Sequence, residues 1–211
     1  MKPLNMRPNE TSGYLFSFCG LDGCGKTTML TRLEKELGEK FPTFMTKQPT
    51  NAVRESDIFR AYMDNPDHDA YDYRSLSLLA ASDRLQHVNK VIEPQMEQGK
   101  IVISDRYFYS CLANLRARGF ENDNWIYEIA ESVVKPDIAF FIDVPVDTAI
   151  KRVRSRNEEK NRYIDMDFQY KLKEEYLKIC NANKGVLISS EMSVEECYEI
   201  VKKEVEKVMN K

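Results

Sequence analysis

Five short runs of mostly apolar residues alternate along the chain with longer segments of helical periodicity. The runs lie at residues 14–20, 41–46, 100–105, 137–143 and 185–189. They are rich in β-branched and aromatic residues and nearly continuous rather than alternating in polarity, which is typical of strands buried on both faces. We therefore predict five buried strands.

The segments between these runs carry apolar residues at helical spacing. After the first strand, one stripe holds Met29, Leu30, Leu33 and Leu37. Residues 67–98 form a longer helical stretch, and the following Gly99 is a natural C-cap. Near the carboxyl terminus, Ser193 and Glu196 have the spacing of a capping box, which predicts a helix to the end of the chain.

This alternation predicts the fold class and the domain organisation. Strands separated by helices need right-handed crossovers, so the pattern predicts an α/β domain: a doubly wound, five-stranded parallel sheet with helices on both faces. The 211 residues suit one such domain, over residues 14–211. Residues 1–13 are polar, hold two prolines and lack an apolar signal-peptide core, so we predict a disordered leader.

Composition excludes several classes of function. The formal net charge of −3 does not favour nucleic-acid binding, which requires a basic surface. No apolar run approaches the roughly 20 residues of a membrane-spanning helix. The five cysteines are an odd number without a C-x-x-C pair, which argues against a disulfide framework or metal cage and favours the reducing cytoplasm.

The sequence "GLDGCGKTT", residues 20–28, lies between the first predicted strand and the first predicted helix. It fits G-x-x-x-x-G-K-[ST], a loop whose backbone N–H groups surround a phosphate. Lys26 supplies a positive charge, and the Thr27 hydroxyl can ligate Mg²⁺. The predicted ATP-binding residues are Gly20, Gly23, Cys24, Gly25, Lys26, Thr27 and Thr28.

A second charged motif follows the third predicted strand, where "KIVIS" gives way to Asp105 and Arg106. Ligands of open α/β sheets bind beyond the carboxyl ends of the strands, so both side chains are expected to face the phosphate loop. Asp105 would then suit Mg²⁺ or its waters, and Arg106 could bind an anion through two N–H groups.

Several segments together resemble the thymidylate kinases in order and spacing, over about residues 14–205. They are "FSFCGLDGCGKTT", "LLAASDRLQHVNKVIEPQMEQGKIVISDRYFYS", "PDIAFFIDVPVDTAIKRVRSR" and "RYIDMDFQYKLKEEYL". The resemblance implies the P-loop NTPase fold, a homodimer, and Mg²⁺-dependent phosphoryl transfer from ATP to a nucleoside monophosphate, with dTMP giving dTDP. It also implies that Arg106 binds the acceptor's phosphate and that Asp105 and Asp22 lie near the metal.

The resemblance assigns further acceptor contacts one at a time. Arg84 matches an arginine that reaches the base, and Gln48 lies in "TKQP", where the family usually has Thr-Arg-Glu-Pro. Arg60 matches a further arginine for the acceptor's phosphate. Tyr107, which directly follows Arg106, is expected beside the acceptor.

A catalytic arginine is expected from a short lid. One subgroup of the family places this arginine at the position of Gly23, and the other draws it from a lid, here residues 151–163. We predict Arg156 for the transferring phosphoryl group and a solvated helix face for Arg152. The predicted catalytic set is Lys26, Arg156, Asp22 and Arg106.

The acceptor side departs from the family pattern. Ala80 stands where an aromatic ring usually stacks on thymine, Asn114 stands where an aromatic residue usually crowds the 2′ position, and Cys111 replaces a residue that faces the base. Tyr107, Phe108 or Tyr109 could supply the missing ring. The two histidines, His68 and His87, are interpreted as structural or surface residues.

Two alternatives follow from these departures. The acceptor could be another nucleotide or deoxynucleoside, such as dUMP or dCMP, and a nucleoside would require a general base such as Asp105 or Asp22. A nucleotide-binding regulator is the other alternative, although such a protein has no need for a second phosphate site.

Overall fold

A computed structural model describes residues 1–65, 67, 71–157, 163–189 and 191–210. Its core is one sheet of five parallel strands in the order β2-β3-β1-β4-β5. The strands are β1 (Tyr14–Cys19), β2 (Thr43–Lys47), β3 (Ile101–Asp105), β4 (Ile138–Asp143) and β5 (Val186–Ser189). The five predicted strands are confirmed, with ends that differ by a residue or two.

Burial distinguishes the centre of the sheet from its edges. The residues of β1, β3 and β4 are almost all buried, as predicted. The edge strands β2 and β5 are only partly covered, and Met45 and Leu187 are 43% and 50% exposed. The prediction of full burial was therefore wrong for the edge strands, where one side of each strand has no neighbour.

Helices connect the strands and cover both faces of the sheet. They are α1 (Lys26–Gly38), α2 (Asn51–Arg54), α3 (Asp57–Asp64), α4 (Tyr73–His87), α5 (Glu93–Glu97), α6 (Phe108–Ala117), α7 (Trp125–Ala130), α8 (Val146–Arg154), α9 (Met166–Ala182) and α10 (Val194–Met209). Helices α1 and α10 pack together on one face, and α6 packs on α9 on the other. The capping box predicted for the last helix is present in α10. No described helix is both long and apolar enough to cross a bilayer.

The long helical stretch predicted at 67–98 differs in detail. Its helix begins at Tyr73, because the Asp72 carboxylate accepts hydrogen bonds from the first backbone N–H groups. A π-helical turn, Val88–Ile92, joins α4 to α5. Pro94 follows this turn and has no N–H to donate to the preceding turn, which accounts for the wider winding there.

Residues 1–13 pack against the amino-terminal ends of the strands. This corrects the prediction that they form a disordered leader. Leu4 and Met6 are buried in the main core. The Arg7 backbone N–H donates to the Val133 carbonyl at 2.9 Å, and the Arg7 side chain pairs with Glu93 at 2.9 Å. Apolar residues spaced by single polar ones carried too weak a signal for this docking to be predicted.

Candidate active site

The phosphate loop lies at the carboxyl end of the central strand β1. Its curvature is held from inside, because the Lys26 ammonium donates to the carbonyls of Gly20 at 3.1 Å and Leu21 at 2.8 Å. Gly25 has a φ of 104°, and no described atom lies within 4 Å of where its Cβ would be. The loop therefore presents open backbone directly before α1, whose amino end favours an anion.

Gly23 is enclosed by α8 on the outer side of the loop. A Cβ at this position would overlap the Ala149 carbonyl oxygen, and the residue has a φ of 81°. An arginine cannot occupy this position without displacement of α8. A cation for the transferred group must therefore come from another part of the chain.

Two arginines of the predicted lid line the cleft. Arg152 is exposed, as expected for a solvated helix face, and it also donates from Nη1 to the Gly23 carbonyl at 3.4 Å. Arg156 follows the end of α8 and also lines the cleft. Arg162, a further arginine of the predicted lid, lies outside the described residues.

Arg106 is the cation that connects the phosphate loop to β3. Its Nη2 donates to the Asp22 carboxylate at 2.6 Å, and its Nη1 donates to the Gly20 carbonyl at 3.0 Å and to the Tyr176 hydroxyl at 2.9 Å. Burial opposes the charge, but Tyr176, Asp22 and Asp105 outweigh burial and raise the pKa of Arg106 well above its usual value. The guanidinium is therefore permanently charged and fixed in orientation.

Further charged groups gather beside Arg106. Asp105 pairs with Lys47 at 3.5 Å through Oδ2, while its buried Oδ1 has no partner among the described residues. Arg54 lines the same wall, and burial followed by the positive charge of Arg106 lowers the pKa of Arg54. Sequence analysis missed Arg54, because α2 is a four-residue helix without a motif of its own. Arg54, Arg106 and Lys47 all line the cleft on this side.

One cleft of about 1360 Å³ runs across these elements. Its first half, around the phosphate loop, is lined by Gly23, Thr27, Thr28, Arg152, Arg156 and Met192. Its second half is lined by Lys47, Arg54, Ala80, Arg84, Asn114 and Arg118. A single drug-sized ligand commonly occupies roughly 300–1,000 Å³, so the cleft can hold two nucleotides.

Comparison with known proteins agrees with this geometry. The family model described as "Thymidylate kinase" matches residues 18–201. The chain belongs to the thymidylate kinase family. A probable thymidylate kinase of Pyrococcus abyssi is 36% identical over 194 residues, which cover 89% of this chain and 93% of the relative. A thymidylate kinase of Geobacillus sp. is 34% identical over 195 residues, which cover 88% and 92% of the two chains.

Most of the predicted ATP-binding residues line the cleft, whereas one of them supports the phosphate loop from behind. The residues from Gly23 to Thr28 line the cleft. Gly20 does not, and its carbonyl instead accepts hydrogen bonds from Lys26 and Arg106. Cys24 is buried with its Sγ 3.6 Å from the Lys26 Nζ, so this small side chain fills the inside of the loop.

The expected acceptor residues divide in the same way. Arg84 lines the cleft, with Nη1 donating to the Ala80 carbonyl at 2.9 Å and a buried Nε that has no described partner. Arg60 also lines it, paired with Asp64. Gln48 is fully buried behind the wall, with its Nε2 3.1 Å from the His87 Nδ1, so it does not face the acceptor.

Tyr107 was also placed wrongly. It is fully buried, and its hydroxyl donates to the Val134 carbonyl at 2.7 Å, on the side of α6 away from the cleft. Phe108 and Tyr109 are buried as well and do not line the cleft. None of these three can supply a ring for the base.

Other rings line the cleft. Four come from other helices, Phe59, Tyr62, Tyr73 and Phe168, and a fifth, Tyr163, lies shortly before α9. Sequence analysis missed them because they lie outside the motifs, although Tyr73 occupies the same face of α4 as Ala80 and Arg84 at helical spacing. Cys111 faces the cleft with its Sγ 3.7 Å from the Ser77 hydroxyl, and Asn114 donates to the Ser110 carbonyl at 2.8 Å.

Proposed function

We propose that the protein transfers a phosphoryl group from ATP to dTMP and produces dTDP. The observation that carries the proposal is the contact between two phosphate-binding motifs. Asp22 of the phosphate loop and Arg106 after β3 are joined at 2.6 Å, in one cleft large enough for two nucleotides. This arrangement suits an in-line transfer that depends on positioning and charge.

On the donor side, the phosphates of ATP would lie on the loop from Gly23 to Thr28. Lys26 would exchange its carbonyl contacts for the phosphate oxygens. Arg156, and Arg152 beside Gly23, would neutralise charge on the group in transfer. The backbone donors and these cations are fixed before the substrate arrives, which makes electrostatic stabilisation effective.

The residues present also fit a magnesium ion. The buried Asp105 Oδ1 has no described partner, and Thr27 lines the cleft, so the carboxylate and the hydroxyl would be the ligands of the ion or its waters. Asp22 would act through a water, because its carboxylate already accepts from Arg106. When bound, Mg²⁺ would neutralise phosphate charge.

On the acceptor side, Arg106, Arg54 and Lys47 would hold the phosphate of dTMP. Arg84 would reach the base. No general base is required, because a nucleotide phosphate is already ionised at neutral pH. This is consistent with the position of His87, which is buried between Thr46 and Gln48 away from the cleft.

An ATP-consumption assay with dTMP, dUMP, dCMP, dAMP, dGMP and thymidine tests the proposal. We expect a preference for dTMP, loss of turnover in Lys26→Met, and normal turnover in Lys35→Met, which changes an exposed lysine of the same helix. A preference for another acceptor would favour the second candidate, a kinase for a different nucleotide or deoxynucleoside. The small Ala80 and Asn114 side chains on the acceptor wall favour that candidate.

Slow turnover with every acceptor, together with tight ATP binding, would instead indicate a nucleotide-binding regulator. Two further properties remain proposals from the family. They are a homodimer, which sedimentation velocity would test, and a cytoplasmic location.

A further inference from the structure

Arg118 is a cationic side chain in the cleft that no motif explains. It directly follows α6, and it shares one face of that helix with Cys111 and Asn114, at spacings of three and four residues. All three line the acceptor half of the cleft. Arg118 is therefore part of the same wall as the residues expected to face the nucleoside.

Three aromatic rings hold the Arg118 guanidinium. Its Cζ lies 4.2 Å from the ring centroid of Phe168, 4.3 Å from that of Tyr73 and 5.3 Å from that of Tyr62. These rings belong to α9, α4 and α3, so three helices converge on one side chain. Cation–π contacts of this kind favour a fixed guanidinium plane.

What this arginine lacks is a carboxylate. No acidic side chain of the described residues pairs with Arg118, and its buried Nε–H has no acceptor. Its neighbours behave differently. Arg116 pairs with Glu175 at 2.6 Å, and Arg74, which also lies over a ring, pairs with Asp123 at 2.8 Å. A partly buried donor without an acceptor is unfavourable unless a ligand supplies one.

The position of Arg118 along α6 indicates which part of a ligand would supply this acceptor. Arg106, just before the helix, is the expected contact of the acceptor's phosphate. The ten residue steps from Phe108 to Arg118 rise about 15 Å along the axis, and helical side chains lean back toward the amino end. The Arg118 guanidinium therefore lies toward the end of the acceptor that is remote from the phosphate, which is the nucleoside.

We propose that Arg118 is a specificity-determining residue that donates hydrogen bonds to an oxygen of the acceptor's nucleoside. This inference rests on the proposed kinase function. The oxygen could belong to a carbonyl of the base or to a hydroxyl of the sugar, and both offer the acceptor that the Arg118 Nε–H lacks. Because the three rings fix the plane beforehand, recognition costs little side-chain ordering.

Arg118→Met tests the proposal, because methionine keeps an unbranched apolar stem against the rings and removes the donors. We expect the KM for dTMP to rise roughly ten- to a hundredfold, as for loss of a hydrogen bond from a charged group. The KM for ATP should change less than about twofold. Arg74→Met removes a ring-stacked arginine outside the cleft and should leave both KM values unchanged. Arg118→Lys should restore only part of the affinity.

Analogues of dTMP identify the oxygen. With the wild type, 2-thio- and 4-thio-dTMP weaken one base acceptor each, and 3′-deoxy-dTMP removes the sugar hydroxyl. The analogue that loses its penalty in Arg118→Met marks the atom that Arg118 contacts. Equal penalties in both proteins for all three analogues would overturn the proposal.

A purely structural role predicts other results. Arg118→Met would then lower the melting temperature and raise both KM values together, or leave the KM for dTMP unchanged, and either outcome overturns the proposal. Calorimetric dTMP binding keeps the two hypotheses distinguishable. A wild type that binds dTMP without turnover contradicts the proposed function alone, and the Kd of Arg118→Met then decides this inference. A wild type that does not bind dTMP contradicts both.

Discussion

Arg106 has a φ of 69°, a left-handed backbone conformation that costs a residue with a side chain about 1–3 kcal/mol. The conformation turns the side chain from the end of β3 toward the phosphate loop. Its contacts with Asp22, Gly20 and Tyr176 offset that cost. Asp105 and Arg106 thus follow a buried strand because they face the phosphate loop, and not because the strand itself requires charged residues.

Tyr176 has no catalytic role of its own, yet it holds Arg106 in place. Burial raises the pKa of Tyr176 to about 12, so its neutral hydroxyl accepts from Arg106 and donates to Ser110 at 3.0 Å. We expect Tyr176→Phe to lower kcat/KM for dTMP roughly fivefold, which corresponds to about 1 kcal/mol for one hydrogen bond. Steady-state kinetics with dTMP and ATP varied separately measure this effect.

The matched control is Tyr170→Phe, which removes an exposed hydroxyl on the same helix, where it contacts Asp147. It should leave kcat/KM unchanged for both substrates. If Tyr176→Phe weakened the use of ATP as much as that of dTMP, its hydroxyl would not act through Arg106.

At the scale of elements, local patterns predicted most of the fold. The continuous apolar runs gave the strands, and Ser193 with Glu196 gave the start of α10, because both signals act over a few neighbouring residues. The π-helical turn before Pro94 and the rings around Arg118 depend on contacts between distant segments. Tyr107 was misplaced for the same reason, since only the rotation of α6 decides which of its aromatic residues face the core.

His87 connects two elements of the acceptor wall. Its Nε2 lies 3.0 Å from the Thr46 hydroxyl on β2, and its Nδ1 lies 3.1 Å from the Gln48 Nε2 in the loop that follows. Burial lowers the pKa of His87, although the charge of Asp83 opposes this shift. In the unfolded chain, this histidine has an ordinary pKa of about 6.5. As the pH falls, the unfolded chain therefore takes up the proton at a higher pH than the folded chain does.

The free energy of unfolding should consequently fall as the pH drops below about 6.5, with a slope of at most about 1.4 kcal/mol per pH unit from this residue. No such contribution is expected above that pH, where His87 is neutral in both states. Urea unfolding of the wild type and His87→Gln at pH 7.5 and 5.5 measures it. The difference in unfolding free energy between the two proteins should shrink at pH 5.5. An equal difference at both pH values would mean that His87 does not cause the pH dependence.

At the scale of the whole molecule, the two ends of the parallel sheet have separate tasks. The carboxyl ends of β1 and β3 carry the phosphate loop and Arg106, whereas the amino ends receive residues 1–13. Asp137, just before β4, accepts from the Leu15 backbone N–H at 2.8 Å and from the Asn9 side chain at 2.9 Å. The first residues thus stabilise the start of the sheet at a distance from the cleft.

Stability and activity should therefore respond separately to changes in the amino-terminal segment. Leu4 is 6% exposed, and its backbone N–H donates to the Asn183 side chain at 2.9 Å. Leu4→Ala should lower the free energy of unfolding by about 2–3 kcal/mol, near the lower limit for buried leucines, because a terminal segment can adjust. Urea denaturation measures this loss, and kcat with dTMP should stay unchanged because no catalytic group moves.

Met1→Ala, at a residue 46% exposed, should change neither quantity. An unchanged stability in Leu4→Ala would mean that the segment is disordered in solution, whereas a loss of kcat at full stability would mean that the amino ends of the strands influence the cleft.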